Sequence, residues 1–578
     1  MPGPLVVQSD YTILLETDHP RAEEAREVLA SFAELVKSPE HIHTYRISSL
    51  SLWNAASSGL HAAEVLRDLS LLSRYPVPDL VNQFVEEQMG RYGRLRLVAA
   101  DGGLMLEADD PTIITGLLSR GNIRPHLGER AGTRVAVNPD SRGVLKQLLT
   151  RIGWPLADEA GYAPGLPLDI RWESTGRLDG LPFHLRAYQE AAVQAFYGDG
   201  RAQAGSGVIV LPCGAGKTLV GLGVMTKVQA HTLILTTSVA AAHQWRRELM
   251  NRTSLAEEDI GEYSASVKQV RPVTLATYQI LSHRTKGQYA HFQVMNDGDW
   301  GLIIYDEVHL LPAPIFRLTA AIQARRRLGL TATLIREDGH AEDVFALIGP
   351  KRFDMPWRDL EAEGWIAPAR CHEIRVDLPA VWQEHYAVAE DRDRARIAAE
   401  NPAKLSVIQE LLQDHQEDRV LIIGQYLQQL ESVAEEIGAP IITGKTPAAR
   451  REDLYEQFRQ GTITRLVVSK VANFAIDLPE ANVAIQISGT FGSRQEEAQR
   501  LGRVLRPKHD GGPAYFYTVV SDDTVEQLYA QKRQLFLTEQ GYRYQIARVD
   551  ARGAEREPPP PAPVIPFPTA TLEEGPGS

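Results

Sequence analysis

Short apolar runs alternate with helical stretches over the last two thirds of the chain. Between residues 176 and 548, each run is followed by a longer segment with apolar residues every three or four positions. Continuous apolar strands of this kind are typical of parallel sheets that helices cover on both faces. The predicted strands are GVIVL, HTLILTT, GLIIYDE, RRLGLTA, RVLIIGQ, TRLVVSK and NVAIQIS.

The size of this region fits two α/β lobes rather than one large sheet. We divide it into residues 176–365 and 366–548, with a hinge near the sequence EGWIAPARCHEI. No internal repeat is visible in the sequence. The predicted fold class is therefore α/β, with two parallel-sheet lobes preceded by smaller units.

The first 175 residues predict two small α+β units, residues 1–93 and 94–175. In the first unit YTILLET predicts a strand, and HPRAEEAREVLASFAELV has helical spacing throughout. In the second, RLRLVAADGGLMLEA predicts two strands joined at the turn signal DGG, followed by the strand TRVAV and the helix SRGVLKQLLTRIG. A Gly- and Pro-containing linker follows, and the Pro-rich residues 549–578 predict a disordered tail.

Composition narrows the protein class only slightly. The 578 residues carry a net charge of −13, which neither indicates nor excludes a nucleic-acid binder, because only a local groove must be positive. Two cysteines, Cys213 and Cys371, are too few for a disulfide framework or a four-cysteine metal site. With no bilayer-length apolar run and no signal-like N-terminus, we expect a cytoplasmic protein without membrane contact.

The segment VIVLPCGAGKTLVGLGV places a strand, a glycine-containing turn and a helix in succession. This is the layout of a phosphate-binding loop, in which backbone N–H groups and a helix N-terminus face the phosphates. Lys217 would reach the β and γ oxygens, and Thr218 would bind Mg²⁺. The loop departs from the full pattern because Leu211 occupies the place of the first glycine. The predicted nucleotide-binding residues of the loop are Gly214, Ala215, Gly216, Lys217 and Thr218.

Two further segments carry residue types that ATP chemistry needs. In GLIIYDEVHLLP an apolar strand ends in acidic residues, of which Asp306 would bind the metal and Glu307 would orient water. His309 would connect this site to neighbouring segments. In LPFHLRAYQEAAVQAF, Arg186 and Gln189 precede the loop, and the Gln189 amide offers the donor and acceptor that adenine requires.

The segment QEEAQRLGRVLRP predicts a helix that presents arginines to a cleft. Arg503 and Arg506 lie three residues apart and share a face, so both could stabilise charge on the γ-phosphate. Taken separately, these segments also fit bland alternatives: a glycine-rich turn, a surface loop, a solvated helix start and a solvated basic helix face. Their joint occurrence, each on the element its chemistry needs, favours a nucleotide site.

The order of these segments resembles superfamily 2 helicases and translocases, whose two RecA-like lobes close on ATP. TTSVAAAHQW, LATYQIL, LGLTAT, LIIGQYLQQL and VSKVANFAIDLPEANVAIQIS extend the resemblance over residues 180–545. This resemblance implies that the protein contacts a nucleic-acid strand through its phosphates, with Gln244 and Thr277 as candidate residues. The residues that it implies couple hydrolysis to lobe closure are Thr331, Ala332, Thr333, Gln499 and Arg500.

The stretch TATLIREDG makes the resemblance more specific. Together with LPCGAGKT, DEVH and IDLPEAN, it is similar to the XPB-type DNA repair and transcription helicases. In that family the RED motif lies in the first lobe and is associated with unwinding, which implies this role for Arg336, Glu337 and Asp338. Upstream segments also resemble XPB proteins, and residues 94–175 occupy the place of a damage-recognition-like domain; a docking or regulatory domain is the alternative.

The sequence thus predicts an ATP- and Mg²⁺-dependent DNA helicase or duplex translocase, with the 3′–5′ polarity that the family implies. DNA is the expected partner, with a nuclease or another repair factor as a further partner class. One alternative is an RNA-dependent ATPase, because the two kinds of motor share their core lobes. Another is an ATP-operated clamp or partner-loading protein without intrinsic unwinding. The segment between the lobes leaves room for only a short helical element, so a thumb-like insertion is not expected.

Overall fold

The computed structural model describes most of the chain, and everything below concerns that part. The described residues are 3–38, 41–100, 103–200, 204–212, 214–284, 291, 294, 298–312, 315–316, 319–320, 322–323, 325–332, 341–355, 357–469, 481–489, 512–539, 542 and 544–550. None of the helices within these residues is long and apolar enough to cross a membrane.

An antiparallel sheet and four helices make up the N-terminal unit. Its strands are β1 (Leu5–Val7), β2 (Thr12–Glu16), β3 (Glu34–Lys37) and β4 (Ile42–Arg46), in the order β1-β2-β4-β3. Its helices are α1 (Ala22–Ala30), α2 (Ser49–Ser57), α3 (Ala62–Leu72) and α4 (Asp79–Arg91). The prediction of one helix through HPRAEEAREVLASFAELV is wrong beyond Ala30, because the final residues pair with β4 as a strand.

The second unit has a five-stranded sheet in the order β7-β8-β6-β5-β9. Its strands are β5 (Leu95–Ala100), β6 (Gly103–Ala108), β7 (Leu127–Ala131), β8 (Arg134–Val137) and β9 (Leu156–Asp158), and its helices are α5 (Pro111–Leu118) and α6 (Arg142–Arg151). The predicted hairpin, strand and helix are confirmed. Helix α6 packs on the following lobe, where Lys146 Nζ donates a buried hydrogen bond to Gln323 Oε1 at 2.9 Å.

The first large sheet has seven parallel strands in the order β12-β13-β11-β14-β15-β10-β16. The strands are β10 (Ser206–Val210), β11 (Thr232–Thr236), β12 (Ile260–Tyr263), β13 (Val273–Thr277), β14 (Leu302–Asp306), β15 (Arg326–Thr331) and β16 (Lys351–Asp354). The helices are α7 (Ala187–Tyr197), α8 (Lys217–Val228), α9 (Val239–Arg252), α10 (Tyr278–Ser282), α11 (Ala341–Leu347) and α12 (Trp357–Ala362).

The second large sheet also has seven parallel strands, in the order β19-β20-β18-β21-β22-β17-β23. The strands are β17 (Ala369–Val376), β18 (Val420–Gly424), β19 (Ile441–Ile442), β20 (Arg465–Ser469), β21 (Val483–Gln486), β22 (Ala514–Ser521) and β23 (Tyr544–Val549). The helices are α13 (Ala380–Val388), α14 (Asp391–Ala399), α15 (Lys404–Asp414), α16 (Leu427–Glu436), α17 (Ala448–Arg459) and α18 (Val525–Glu539).

The two large sheets share one topology. When the strands of each sheet are numbered from its own first strand, both have the order 3-4-2-5-6-1-7. The chain therefore contains a structural repeat that its sequence does not reveal. All seven strands predicted from apolar runs are present, and the prediction of an α/β fold with two parallel-sheet lobes is confirmed. The strands of both sheets contribute side chains to the buried apolar cores.

Candidate functional site

The predicted phosphate loop joins the end of β10 to α8, at the carboxyl edge of the first lobe's sheet. Ligands of open parallel sheets bind at this edge. Gly214 and Gly216 adopt φ values of 84° and 80°, a left-handed conformation that glycine reaches without steric cost. A β-carbon on Gly216 would lie 2.5 Å from Gln189 Nε2, so the turn also needs a glycine for space. Lys217 then begins the helix.

Leu211 explains the departure of this loop from the usual pattern. Its side chain is fully buried in the core, where glycine would leave a cavity. Its backbone N–H donates to Thr331 O at 2.9 Å, which ties the loop to the end of β15. Its carbonyl lies 3.5 Å from Lys217 Nζ.

The helix that precedes the loop is hydrogen-bonded to it. Gln189 Nε2 and Tyr188 OH donate to Ala215 O at 2.9 and 2.8 Å. Gln189 Oε1 accepts from the backbone N–H of Arg186 at 3.0 Å, so both ends of the amide contact backbone groups. The Arg186 guanidinium lies 4.1 Å from the ring centroid of Trp365, in the connection between the lobes. The adenine-binding roles of Arg186 and Gln189 stay predictions.

Asp306 ends β14, which lies between β11 and β15 in the middle of the sheet. Trp245 Nε1 donates to Asp306 Oδ2 at 2.9 Å, and Tyr278 OH donates to the backbone carbonyl of Asp306, also at 2.9 Å. Burial, and then the neighbouring carboxylate of Glu307, raise the pKa of Asp306 to about 6. The Asp306 carboxylate is thus held at the sheet edge in surroundings that favour a nearby positive charge.

Glu307 and Lys217 face each other across the loop. Glu307 takes a left-handed backbone conformation, with φ of 51°, which is uncommon for a residue with a side chain. Its Oε1 lies 3.6 Å from Lys217 Nζ. The ammonium group of Lys217 thus lies near both the Leu211 carbonyl and the Glu307 carboxylate, at the loop predicted to bind phosphate.

His309 extends the site towards the coupling segment. Its Nδ1 lies 2.6 Å from Thr331 Oγ1 and 3.5 Å from Glu307 Oε2. Thr331 ends β15, and the next residue, Ala332, is buried. A continuous chain of polar contacts thus runs from Lys217 through Glu307 and His309 to Thr331.

The two residues predicted to contact a nucleic-acid strand differ in exposure. Gln244 is exposed on α9, whereas Thr277 is buried and its hydroxyl accepts from the N–H of Ile280 as the cap of α10. Both assignments to strand binding stay predictions. The remaining site residues lie outside the described residues: Thr333, Arg336, Glu337, Asp338, Gln499, Arg500, Arg503 and Arg506.

Three residues of the site escaped sequence reasoning: Tyr188, Trp245 and Tyr278. Each directly adjoins a predicted site residue, since Tyr188 precedes Gln189, Trp245 follows Gln244 and Tyr278 follows Thr277. The sequence therefore offered one signal for these residues: each is a Tyr or Trp, which can donate a hydrogen bond, directly beside a predicted site residue. The partner of each, 27 to 61 residues away, is set by the fold.

Two parallel-sheet lobes of one topology, with a phosphate loop, an Asp-Glu pair and a His–Thr contact at the edge of the first, define a superfamily 2 helicase. Family models agree with this class. The description "Type III restriction enzyme, res subunit" matches residues 182–336, and "ERCC3/RAD25/XPB C-terminal helicase" matches residues 360–558. A third model, "Helicase conserved C-terminal domain", matches residues 5–132 despite its name.

Relatives cover nearly the whole chain. A Kineococcus radiotolerans protein named "DNA 3'-5' helicase XPB" is 54% identical over 95% of this chain and 97% of its own length. A Mycobacterium tuberculosis protein of the same name is 53% identical over 95% and 98%. A Saccharomyces cerevisiae subunit, "General transcription and DNA repair factor IIH helicase/translocase subunit XPB/SSL2", is 32% identical over 93% and 71%. The chain belongs to the XPB family of helicases, which hydrolyse ATP.

Proposed function

We propose that the protein is an ATP-dependent 3′–5′ DNA helicase or duplex-DNA translocase that acts in DNA repair. The observation that carries the proposal is the chain of contacts from Lys217 through Glu307 and His309 to Thr331. It connects the phosphate loop to the segment that precedes the RED motif, as a motor requires. The DNA substrate and the polarity follow the names of the two bacterial relatives.

In this proposal the first lobe holds the nucleotide. Lys217 binds the β and γ oxygens, and Glu307 orients the attacking water. The hydroxyl of Thr218 and the carboxylate of Asp306 fit Mg²⁺, which prefers oxygen ligands and takes one or two from protein beside phosphates and water. When bound, the ion neutralises charge on the phosphates. Trp245 holds the Asp306 carboxylate in place by its indole hydrogen bond.

The second lobe supplies charge to the same nucleotide. We assign Arg503 and Arg506 to the γ-phosphate, and Gln499 and Arg500 to the coupling between hydrolysis and lobe closure. The RED residues 336–338 act at the duplex junction, with the arginine on phosphate. We keep the division into units 1–93, 94–175, 176–365 and 366–548, and a nuclease or another repair factor as the protein partner.

A comparison of nucleic acids tests this proposal. ATP hydrolysis by the full chain is measured alone and with single-stranded, duplex and forked DNA, and with RNA of the same sequence. The proposal expects stimulation by DNA and little by RNA, and a steep loss of affinity with salt, because the contacts go to phosphates. Stimulation by RNA alone would establish the RNA-dependent alternative and overturn the proposal.

A further inference from the structure

Two aromatic side chains hydrogen-bond to the same acidic residue from two different elements. Trp245, on α9, donates its indole N–H to the Asp306 carboxylate at 2.9 Å. Tyr278, the first residue of α10, donates its hydroxyl to the Asp306 backbone carbonyl, also at 2.9 Å. One bond orients the carboxylate and the other holds the backbone that carries it. Asp306 is thus held from both ends.

Both donors directly follow the residues assigned above to strand binding. Gln244 precedes Trp245, and Thr277 precedes Tyr278. Helix α10 is also bound to the turn that leads into α9, because Gln279 Nε2 donates to Thr237 O at 2.6 Å. If a bound nucleic-acid strand shifts either helix, it therefore also shifts the side chain that donates a hydrogen bond to Asp306.

Trp245 is also wedged against the helix of the phosphate loop. A β-carbon on Gly221 of α8 would lie 2.4 Å from Cη2 of the Trp245 ring, so the ring fills the space that the glycine leaves. Trp245 as a whole is 1% exposed. Because closely packed side chains transmit displacement rather than absorb it, a movement of α9 reaches both α8 and Asp306.

We propose that Trp245 and Tyr278 are positioning residues that relay strand binding to Asp306. The proposal rests on the proposed function, since it takes the surface beside Gln244 and Thr277 as the strand-binding surface. In this relay, strand contact places the Asp306 carboxylate for turnover. An error of one ångström at a reacting centre can lower the rate about a hundredfold, so the small movement of a hydrogen-bonded carboxylate is sufficient.

The test compares Trp245→Phe and Tyr278→Phe with a matched control, Trp300→Phe. Trp300 is also fully buried in the first lobe, and its Nε1 donates to Val294 O at 2.9 Å, away from the site. Each variant loses one hydrogen-bond donor and keeps an aromatic ring. Hydrolysis is measured with and without saturating single-stranded DNA, together with DNA affinity by fluorescence anisotropy and the thermal midpoint.

The relay predicts that DNA-stimulated kcat falls about tenfold in Trp245→Phe, the effect of losing one hydrogen bond to a charged group. Basal turnover falls less, while KM for ATP and the DNA affinity stay near the wild-type values. Tyr278→Phe shows the same pattern to a smaller degree, since its bond goes to a neutral carbonyl. Trp300→Phe keeps the wild-type ratio of stimulated to basal turnover.

A second measurement does not depend on turnover. Binding of a fluorescent ATP analogue is titrated with Mg²⁺, and Trp245→Phe is expected to need more Mg²⁺ for half-maximal binding than Trp300→Phe. A purely structural role for Trp245 predicts equal titrations and a loss of thermal stability alone.

The outcomes separate the relay from the proposed function. A wild-type protein that DNA does not stimulate contradicts the proposed function itself. A wild-type protein that DNA stimulates, with an unchanged ratio in both Trp245→Phe and Tyr278→Phe, overturns the relay alone. If Trp245→Phe does not fold, Tyr278→Phe decides the matter, because it removes a single hydroxyl.

Discussion

The two lobes have the same strand order but place a lysine at the start of one corresponding helix in different surroundings. In each lobe a lysine begins the helix that leads into the second strand of the sheet, Lys217 in the first lobe and Lys404 in the second. Lys217 Nζ has contacts of 3.5 and 3.6 Å and an 11% exposed side chain. Lys404 Nζ is 2% exposed and donates to Glu526 at 2.7 and 2.9 Å and to Ile487 O at 2.9 Å.

We propose that the two lysines have different tasks. Burial lowers the pKa of Lys404, and the partner carboxylate of Glu526 opposes that shift. The Lys404 ammonium group makes three hydrogen bonds and so has no donor left for a ligand. Lys217 is more exposed than Lys404 and lies in the loop that we assign to phosphate binding.

The fifth strands of the two sheets differ in the same way. In the first lobe β14 ends in Asp306 and runs into Glu307. In the second, β21 ends in Gln486, and the nearby Ser488 Oγ donates to Gln429 Oε1 at 2.7 Å. At the end of this strand the first lobe has Asp306 and Glu307, where the second lobe has Gln486 and Ile487. One scaffold thus occurs twice, and only one copy carries the acidic pair.

The largest expected effect concerns the arginines of the second lobe that we assign to the γ-phosphate. Arg506→Ala is expected to lower kcat for ATP about 10³-fold, because an arginine finger acts on charge that develops during transfer. Nucleotide affinity, measured with a fluorescent analogue, should change far less. The control is Arg450→Ala, which removes a 57% exposed arginine of the same lobe. Equal turnover in the two variants would contradict the assignment of Arg506 to the γ-phosphate.

The two lysines give the next largest effect, on stability. Lys404→Ala leaves Glu526 buried without its partner and is expected to cost about 3–5 kcal/mol in urea unfolding. Lys217→Ala should cost clearly less stability than Lys404→Ala, because Lys217 makes longer contacts and is more exposed, while hydrolysis is lost. Lys404→Met combined with Glu526→Leu should recover much of the stability. If the two alanine variants lost equal stability, the proposed division of tasks would be wrong.

A smaller effect tests the acidic pair. Because the pKa of Asp306 is raised in the folded protein from 3.8 to about 6, its ionised form destabilises the fold at higher pH. Below pH 3.8 Asp306 is protonated in both the folded and the unfolded protein, and it does not lower the free energy of unfolding. The free energy of unfolding falls as the pH rises from 3.8 to about 6, and the loss stays constant at higher pH. Asp306→Asn should therefore stabilise the metal-free protein at pH 8 by up to roughly 3 kcal/mol.

The gain from Asp306→Asn should shrink as the pH falls from 6 towards 4 in urea unfolding with EDTA present. Asp391→Asn, which alters a 97% exposed carboxylate of the second lobe, serves as the control and should show no such trend. A gain that is equal at pH 4 and pH 8 would show that the carboxylate is not destabilised by its surroundings.

Much of the fold followed from local sequence. Strands such as Leu302–Asp306 are buried on both faces and therefore appear as continuous apolar runs. The strand Ala369–Val376 was missed because it reads ARCHEIRV, in which polar and apolar residues are mixed. The end of α1 was missed because Glu34–Lys37 takes its conformation from pairing with β4 rather than from its own helical spacing.

The site followed from sequence only where its chemistry is local. The phosphate loop, the Asp306–Glu307 pair and His309 are short motifs whose residues lie beside one another. The hydrogen bond from Trp245 to Asp306 spans 61 residues, and the pair of Lys404 with Glu526 spans 122. Such pairs depend on the strand order, which a single sequence does not specify, so neither was predicted.

The most direct test of the account asks whether ATP-dependent separation of DNA strands requires Glu307, one of the two acidic residues of the first lobe's site. Duplex DNA with a 3′ tail or a 5′ tail is offered to the wild-type protein and to Glu307→Gln, with nucleotide binding measured in parallel. The account predicts that the wild type separates the 3′-tailed duplex in the presence of ATP, and that Glu307→Gln binds ATP without separating either duplex. Separation by Glu307→Gln at the wild-type rate, or ATP hydrolysis by the wild type without movement or strand separation on any DNA, would contradict it.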